Sequence, residues 1–207
     1  MTRASGKLRI IGGEFRSRIV EFDPGASPQG RVRPTPDRVR QTLFDWLAPV
    51  IEGARCLDLF AGSGALGLEA LSRGASHVTF VETGAKQAAA IRATLQELGV
   101  ADRANVLCED ALTFIAAMGR SHEGHPHEGR SYNPATYDIA FLDPPFDSGL
   151  LLPALDALPR VLSADSRVYA EWHRAGALPW PAGYAPIREK KAGQVSYALA
   201  TFHRATA

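Results

Sequence analysis

The chain has 207 residues, of which 45% are hydrophobic, and its formal net charge is +1 at pH 7. This length suits one domain with an extension, and the composition is that of a globular protein with a full core. No apolar run approaches the roughly 20 residues of a membrane-spanning helix, and the N-terminal MTRASGKLRIIGG lacks the apolar centre of a signal peptide. We therefore expect a cytoplasmic protein.

The net charge conceals a strongly basic N-terminal arm. Residues 1–40 contain nine Lys and Arg against four Asp and Glu, a net charge of +5. Such an asymmetry is typical of an arm that docks on a polyanion. The alternative is a hairpin whose arginines contact only water.

The first predicted elements belong to this arm. Two short β-rich runs, 8–13 and 17–22, predict a hairpin, and 24–36 is a basic loop rich in Pro, Gly and Ser. Asp37 is a candidate N-cap for a helix over 38–47, where apolar residues recur at helical spacing. We assign residues 1–35 to an N-terminal extension.

From residue 54 onwards, strands and helices alternate, and we assign residues 36–207 to one α/β domain. The tail, 186–202, predicts two further strands with a turn near Gly193. Apolar strands alternating with helices indicate a parallel sheet covered on both faces, so we expect a mostly parallel seven-stranded sheet with an antiparallel edge strand. The predicted strands are 54–60, 77–82, 104–109, 137–143 and 167–172, and the predicted helices are 64–72, 85–98, 111–118 and 150–158.

Two groups of residues suggest metal or thiol chemistry only weakly. Cys56 and Cys108 lie in apolar runs, and we interpret both as buried thiols of adjacent core strands, rather than as a disulfide or metal site. The polar segment 119–134 contains three histidines, but nothing in it imposes a ligand geometry. We interpret it as a surface loop and expect no metal.

A glycine-rich turn follows the first strand of the domain. In LDLFAGSGALG (57–67), glycines at 62 and 64 allow a sharp turn and a close approach of the backbone to a ligand. With Gly67 they form G-x-G-x-x-G, and Glu82 follows the next strand, where ribose hydroxyls are bound. These features fit a dinucleotide as well as S-adenosylmethionine.

Asp58 favours S-adenosylmethionine over a dinucleotide. A carboxylate directly before the glycines would repel a pyrophosphate, whereas it attracts the ammonium group of a methionine moiety. Asp110, after the third strand, is a candidate acceptor for the adenine amino group and a candidate N-cap of the next helix, and both roles can hold together because a cap can still present one oxygen.

A second motif, Asp143-Pro144-Pro145-Phe146, ends the fourth strand. The Asp143 carboxylate and the Pro144 carbonyl can both accept hydrogen bonds from one NH₂ group, and Phe146 offers a flat face for a flipped base. The alternative is a strand end with two prolines and an incidental aromatic. Because the motif comes after a glycine turn of the kind that binds nucleosides, we favour the functional interpretation. The motif then predicts transfer of a methyl group to the amino group of a base.

In these motifs the chain resembles the bacterial 16S ribosomal RNA guanine-N2 methyltransferases, the RsmD family of class I methyltransferases. The resemblance rests on RIIGGEFRSR (9–18), RVRPTPDRVRQTLFDWL (31–47), CLDLFAGSGALGLEALSRGA (56–75), DIAFLDPPF (138–146) and EKKAGQVSYAL (189–199). It implies a Rossmann-like fold, the donor S-adenosylmethionine, and methylation of one guanine, usually numbered 966, within the 30S subunit or its assembly intermediate.

The resemblance also implies a role for each motif residue. Asp143, Pro144, Pro145 and Phe146 would hold the guanine amino group. The cofactor would contact Asp58, Phe60, Ala61, Gly62, Ser63, Gly64, Glu82, Asp110 and Ala111. The arm residues that would meet RNA are Arg16, Arg18, Arg31, Arg33, Arg38 and Arg40, although Arg38 could instead turn inward beside Thr35 to pair with a carboxylate.

Three other functions stay open at this point. The acceptor could be adenine N6 or a different guanine N2, the glycine motif alone allows an NAD-dependent oxidoreductase, and a non-catalytic RNA-binding module would keep the fold without the chemistry. Lys190 and Lys191 could contact phosphates or be solvated.

Overall fold

The computed structural model describes most of the chain, and its elements form one seven-stranded sheet, two small ribbons and five α-helices. The described residues are 6–22, 24–27, 30–31, 34–121, 136–173 and 176–204. The strands are β1 Gly6–Arg9, β2 Ile19–Phe22, β3 Ala26–Ser27, β4 Gly30–Arg31, β5 Arg55–Asp58, β6 His77–Val81, β7 Ala104–Leu107, β8 Tyr137–Leu142, β9 Leu162–His173, β10 Tyr184–Ala192 and β11 Val195–His203. The helices are α1 Asp37–Leu47, α2 Ala65–Ser72, α3 Ala85–Glu97, α4 Ala111–Ser121 and α5 Leu151–Ala157.

The large sheet has the order β10-β11-β9-β8-β5-β6-β7. Strands β9, β8, β5, β6 and β7 pair in parallel, while β11 pairs antiparallel with both β9 and β10. The predicted mostly parallel seven-stranded sheet with antiparallel pairing at one edge is confirmed. Two apolar clusters cover its opposite faces, as expected for an α/β sheet.

The N-terminal hairpin of β1 and β2 is confirmed, with shorter strands than predicted because residues 10–18 form its turn. Leu8, Ile10 and Phe15 are buried in the same apolar cluster as α1 and α2. Within the predicted loop 24–36, β3 and β4 form a two-residue ribbon. The division of the chain at residues 35 and 36 stays a prediction.

Helix α1 begins differently from the prediction. Its N-cap is Pro36, which forms no side-chain cap, and Asp37 is the first helical residue instead of the cap. The Asp37 carboxylate bonds to Arg40 at 2.6 Å, and it also places a negative charge at the positive end of the helix. Helix α4 continues to Ser121, three residues into the predicted surface loop; the rest of that loop, with its histidines, lies outside the described residues.

The prediction of two buried cysteines on adjacent strands is correct for the burial of Cys56 and wrong for Cys108. Cys56 is buried in β5, but Cys108 follows β7 and is exposed, and β6 separates these two strands. Both thiols are free. The apolar run 104–109 is longer than the strand it contains, which ends at Leu107, so its last residues leave the sheet.

Strand β9 begins at Leu162, five residues before the predicted start. The polar segment 163–166 obscures this start in the sequence, but it pairs with the end of β11, where Asp165 lies opposite His203. In the part of the chain that the structure describes, no helix is long and apolar enough to cross a membrane.

Candidate active site

The two motifs singled out in the sequence meet at one edge of the sheet. Strands β5 and β8 are neighbours, and beyond their paired residues the Leu59 N–H donates to the Phe141 carbonyl at 3.1 Å. The turns 58–64 and 143–146 therefore lie side by side at the carboxyl ends of two neighbouring parallel strands. Open α/β sheets bind ligands at this position.

The glycine turn adopts a conformation that favours glycine. Gly62 and Gly64 have φ values of 52° and 77°, in the left-handed region. Gly67 serves packing instead, because a Cβ at this position would lie 2.1 Å from Cε1 of Phe80 in β6. Phe60, Ala61 and Ser63 are all buried in the turn.

Glu82 connects the glycine turn to the end of β6. One carboxylate oxygen accepts a hydrogen bond from the Gly62 N–H at 2.8 Å, and the other accepts one from the Gly84 N–H at 2.6 Å. Each carboxylate oxygen has two acceptor positions. The buried Glu82 side chain can therefore shape the turn and still accept hydrogen bonds from a ligand's hydroxyl groups.

Asp58 is a buried carboxyl at the end of β5, and its Oδ2 accepts a hydrogen bond from the Gly67 N–H at 2.9 Å. Burial raises the pKa of Asp58 to about 7; the Gly67 N–H opposes this shift, while the charges of Asp143 and Glu82 add to it. A cationic ligand beside Asp58 would relieve both the burial of a charge and the repulsion.

Asp143 is held from the N-terminal arm. The Thr35 hydroxyl donates to Oδ2 of Asp143 at 3.3 Å. Burial raises the pKa of Asp143 to about 6, against the opposing effect of this hydrogen bond. Near neutral pH, Asp143 is therefore largely ionised and can accept a hydrogen bond.

The proline turn is closed by Ser148. The Pro145 carbonyl accepts hydrogen bonds from the backbone N–H and the hydroxyl of Ser148, and the buried Pro144 lies between it and Asp143. Phe146 is 42% exposed, and its ring meets the ring of His173 edge-on at 6.3 Å between centroids. An acceptor pair and an exposed aromatic face thus lie in one turn.

Two further titratable residues near Asp143, Glu171 and Tyr169, were missed in the sequence. Both are buried on β9, next to β8, and the Tyr169 hydroxyl donates to Oε1 of Glu171 at 2.7 Å. Burial and the charge of Asp143 raise the pKa of Glu171 well above its usual range. A charged residue inside the apolar run VYAEW is the signal that could have identified Glu171.

Asp110 caps α4, because its Oδ1 accepts a hydrogen bond from the Thr113 N–H at 2.9 Å. The predicted capping role is therefore confirmed. Ala111, the first residue of the helix, is buried. A contact of Asp110 or Ala111 with a cofactor stays a prediction.

The arm arginines differ in burial. Arg16, Arg18 and Arg38 are exposed; the side chain of Arg31 and all of Arg33 lie outside the described residues.

The prediction that Arg40 meets RNA is wrong, because Arg40 is fully buried and cannot contact RNA in this fold. Its guanidinium donates to Glu69, Asp37 and the carbonyls of Arg9 and Thr35. The inward role considered for Arg38 thus belongs to Arg40. Among the described residues, no group of three or more His, Cys, Asp or Glu could hold a metal ion.

Comparison with known proteins supports the resemblance. Escherichia coli ribosomal RNA small subunit methyltransferase D is 42% identical over 200 residues, covering 94% of this chain and 90% of the relative. The Haemophilus influenzae protein of the same name is 38% identical, covering 95% and 94%. The solved structure of Escherichia coli yhhF has a TM-score of 0.79 and 40% identity, covering 96% of this chain and 99% of that one.

A family model extends this likeness along nearly the whole chain. The model is described as Conserved hypothetical protein 95, and it matches residues 8–201. The sequence motifs had indicated the same family, and this prediction is confirmed. The chain belongs to the RsmD family.

Proposed function

We propose that this chain is an enzyme that transfers a methyl group from S-adenosylmethionine to the exocyclic N2 of a guanine in 16S ribosomal RNA. The observation that carries the proposal is the juxtaposition of the glycine turn and the proline turn at the ends of β5 and β8. A methyl donor in the first turn would face an amino group held in the second.

The acidic residues beside the two turns support S-adenosylmethionine as the donor. Four neighbouring strands contribute one each: Asp58 ends β5, Glu82 and Asp143 follow β6 and β8, and Glu171 lies two residues before the end of β9. Such a cluster would repel the pyrophosphate of NAD, whereas it suits a ligand with ammonium and sulfonium charges. When bound, S-adenosylmethionine supplies the electrophilic methyl group. In this proposal Asp58 binds the ammonium group, Glu82 the ribose hydroxyls and Asp110 the adenine amino group.

The proline turn orients the acceptor. Asp143 and the Pro144 carbonyl would each accept one N–H of the guanine amino group, so that the nitrogen lone pair points towards the methyl group. Phe146 would stack on the flipped base. The nitrogen–carbon bond would form as the carbon–sulfur bond of the donor breaks, with S-adenosylhomocysteine as the leaving group, and the amino group would lose one proton, which Asp143 can accept and then release to solvent.

The identity of the RNA is supported by the relatives and the arm. The two curated relatives are named as small-subunit ribosomal RNA methyltransferases, and Arg16, Arg18 and Arg38 are exposed cations on one part of the chain. We extend the proposal to guanine 966 of cytoplasmic 30S particles or their assembly intermediates.

A methyl-transfer assay on 30S particles from cells that lack this protein tests the proposal. Labelled S-adenosylmethionine should transfer one methyl group per particle, and mass analysis should locate it on guanine N2. Asp143→Asn should lower the rate by about 100-fold or more, because it exchanges an acceptor oxygen for a donor. The exposed Asp165→Asn is the matched control. Methylation of adenine, or an unchanged rate for Asp143→Asn, would contradict the proposal.

Ligand binding provides a second test, independent of the RNA. S-adenosylhomocysteine should raise the melting temperature, whereas NAD at the same concentration should not. Stabilisation by NAD alone would favour an oxidoreductase. Cofactor binding without methyl transfer to any RNA substrate would favour a non-catalytic module.

A further inference from the structure

Thr35 is an unusually constrained residue at the junction of the arm and α1. It lies between Pro34 and Pro36, and a proline restricts both its own φ and the residue before it. Its side chain is buried, although the sequence around it is polar and basic. The Thr35 carbonyl accepts a hydrogen bond from Nε of the fully buried Arg40 at 3.1 Å. The position of Thr35 is therefore fixed from both sides.

The hydroxyl of Thr35 faces the carboxyl groups of the acceptor site. It donates to Oδ2 of Asp143 at 3.3 Å, and Glu171 lies next to Asp143 because the preceding residues, Leu142 and Ala170, are paired. Thr35 also lowers the pKa of Glu171, against the larger effects of burial and of the Asp143 charge, which raise it. A hydroxyl has one donor position, and the Thr35 hydroxyl donates to Oδ2 of Asp143.

Several titratable groups surround Asp143. Asp58 from β5, and both Glu171 and Tyr169 from β9, interact electrostatically with it. Burial and, after it, the charge of Asp143 raise the pKa of Glu171, so protonation of Glu171 relieves the repulsion between the two carboxyl groups. Among the described residues of this segment, Arg40 donates to the Thr35 carbonyl and the Thr35 hydroxyl donates to the Asp143 carboxylate.

We propose that Thr35 is a positioning residue for the methyl transfer: its hydroxyl fixes Oδ2 of Asp143 and leaves Oδ1 to accept the N–H of the base. This inference rests on the function proposed above. In the reaction the N–C bond would form as the C–S bond of the donor breaks, leaving S-adenosylhomocysteine; one N–H bond of the methylated amino group then breaks and an O–H bond forms at Oδ1 of Asp143. The Thr35 hydroxyl also stabilises the ionised carboxylate that is needed at the start.

Two substitutions separate the hydroxyl from the shape of the side chain. Thr35→Val keeps the volume and removes the hydrogen bond, whereas Thr35→Ser keeps the bond. Thr42→Val is the matched control, because the Thr42 hydroxyl donates to the Arg38 carbonyl on the exposed side of α1. Single-turnover methyl transfer to 30S particles is measured from pH 5 to pH 9, together with the affinity for S-adenosylhomocysteine and the melting temperature.

We expect Thr35→Val to lower the single-turnover rate at pH 7 by about ten- to 100-fold. Its acidic limb, with a wild-type midpoint near the pKa of about 6 of Asp143, should move upward by about one pH unit, because an ionised acceptor loses a hydrogen bond. Thr35→Ser and Thr42→Val should keep the wild-type rate and midpoint. Affinity for S-adenosylhomocysteine should not change in any variant.

The outcomes distinguish this inference from the proposed function. A wild-type chain without methyl transfer would refute the function, and the inference with it. If the wild type is active, an unchanged rate and midpoint in Thr35→Val would overturn the inference alone. Weaker binding of S-adenosylhomocysteine by Thr35→Val with an unchanged rate would also overturn the inference, because Thr35 would then act in cofactor binding. A carboxyl ¹³C titration should also show a raised Asp143 pKa in folded Thr35→Val, independently of activity.

Discussion

Glu69 in α2 is the residue whose replacement should most weaken the fold. Its carboxylate is fully buried and accepts four hydrogen bonds: from the N–H groups of Ile11 and Gly12, both at 2.9 Å, from Nη1 of Arg40 at 3.2 Å and from Nε of Arg73 at 2.8 Å. The side chain therefore joins the turn of the N-terminal hairpin to α1 and α2. We predict the effect of Glu69→Gln, which keeps the volume but removes the charge.

The expected loss follows from the groups that remain. Arg40 would stay fully buried without its buried counter-charge, and breaking such a pair costs about 3–5 kcal/mol. The amide of Gln would place its NH₂ group against a backbone N–H, which costs about 1 kcal/mol more for the lost hydrogen bond. The free energy of unfolding should therefore fall by about 4–6 kcal/mol, out of a total of about 5–15 kcal/mol.

Urea unfolding, followed by circular dichroism, measures this loss at equilibrium. The matched control is Asp37→Asn, which removes a shorter contact to the same Arg40, at 2.6 Å, but from a side chain that is 67% exposed. Solvent already screens that charge, so the control should lose less than about 1 kcal/mol. If Glu69→Gln were within about 1 kcal/mol of the wild type, burial would not be what makes this ion pair important.

Three further predictions test local packing, charge and exposure. Gly67→Ala should reduce the free energy of unfolding by about 1–3 kcal/mol in urea, since its Cβ would meet the Phe80 ring at 2.1 Å; an unchanged midpoint would contradict the packing role. Calorimetric affinity for S-adenosylhomocysteine should fall as the pH drops below about 7, because Asp58, with a pKa of about 7, then becomes neutral and no longer attracts an ammonium group. Asp58→Asn should abolish this pH dependence, and a steep dependence in the variant would assign it to another group. In the native protein one thiol, that of the exposed Cys108, should react with a disulfide reagent, because Cys56 is buried and burial raises its pKa. Two thiols should react in urea. Cys108→Ser should leave no reactive thiol in the native state.

The parts of the fold that the sequence predicts well are those with local signals. Apolar strands that alternate with helices identify the sheet, and the glycine and proline motifs mark the two turns because their backbone requirements are intrinsic to these residues. That the two turns meet follows from strand order. An open α/β sheet places the ends of its first and fourth strands side by side only when β5 and β8 are neighbours, as they are in this chain.

The errors concern residues whose environment is set by distant parts of the chain. Arg38 and Arg40 are two residues apart on α1 and look alike in the sequence. However, the helical turn directs Arg40 towards Glu69, which is 29 residues away, and leaves Arg38 in solvent. The predictions for Cys108 and for the start of β9 were wrong because hydropathy alone does not determine where the pairing between strands begins and ends.

These distant contacts link the arm to the reaction site. Glu69 holds the hairpin turn and Arg40, Arg40 holds the Thr35 carbonyl, and the Thr35 hydroxyl holds Asp143. Each link is a hydrogen bond to a group that is buried or nearly buried, so none is easily replaced by water. The arm's basic residues therefore divide by burial. Arg16 and Arg18 are exposed, as the proposed contact with phosphates requires, while the buried Arg40 fixes the end of the arm from which Thr35 reaches Asp143, the residue that accepts a proton from the base in the proposed reaction.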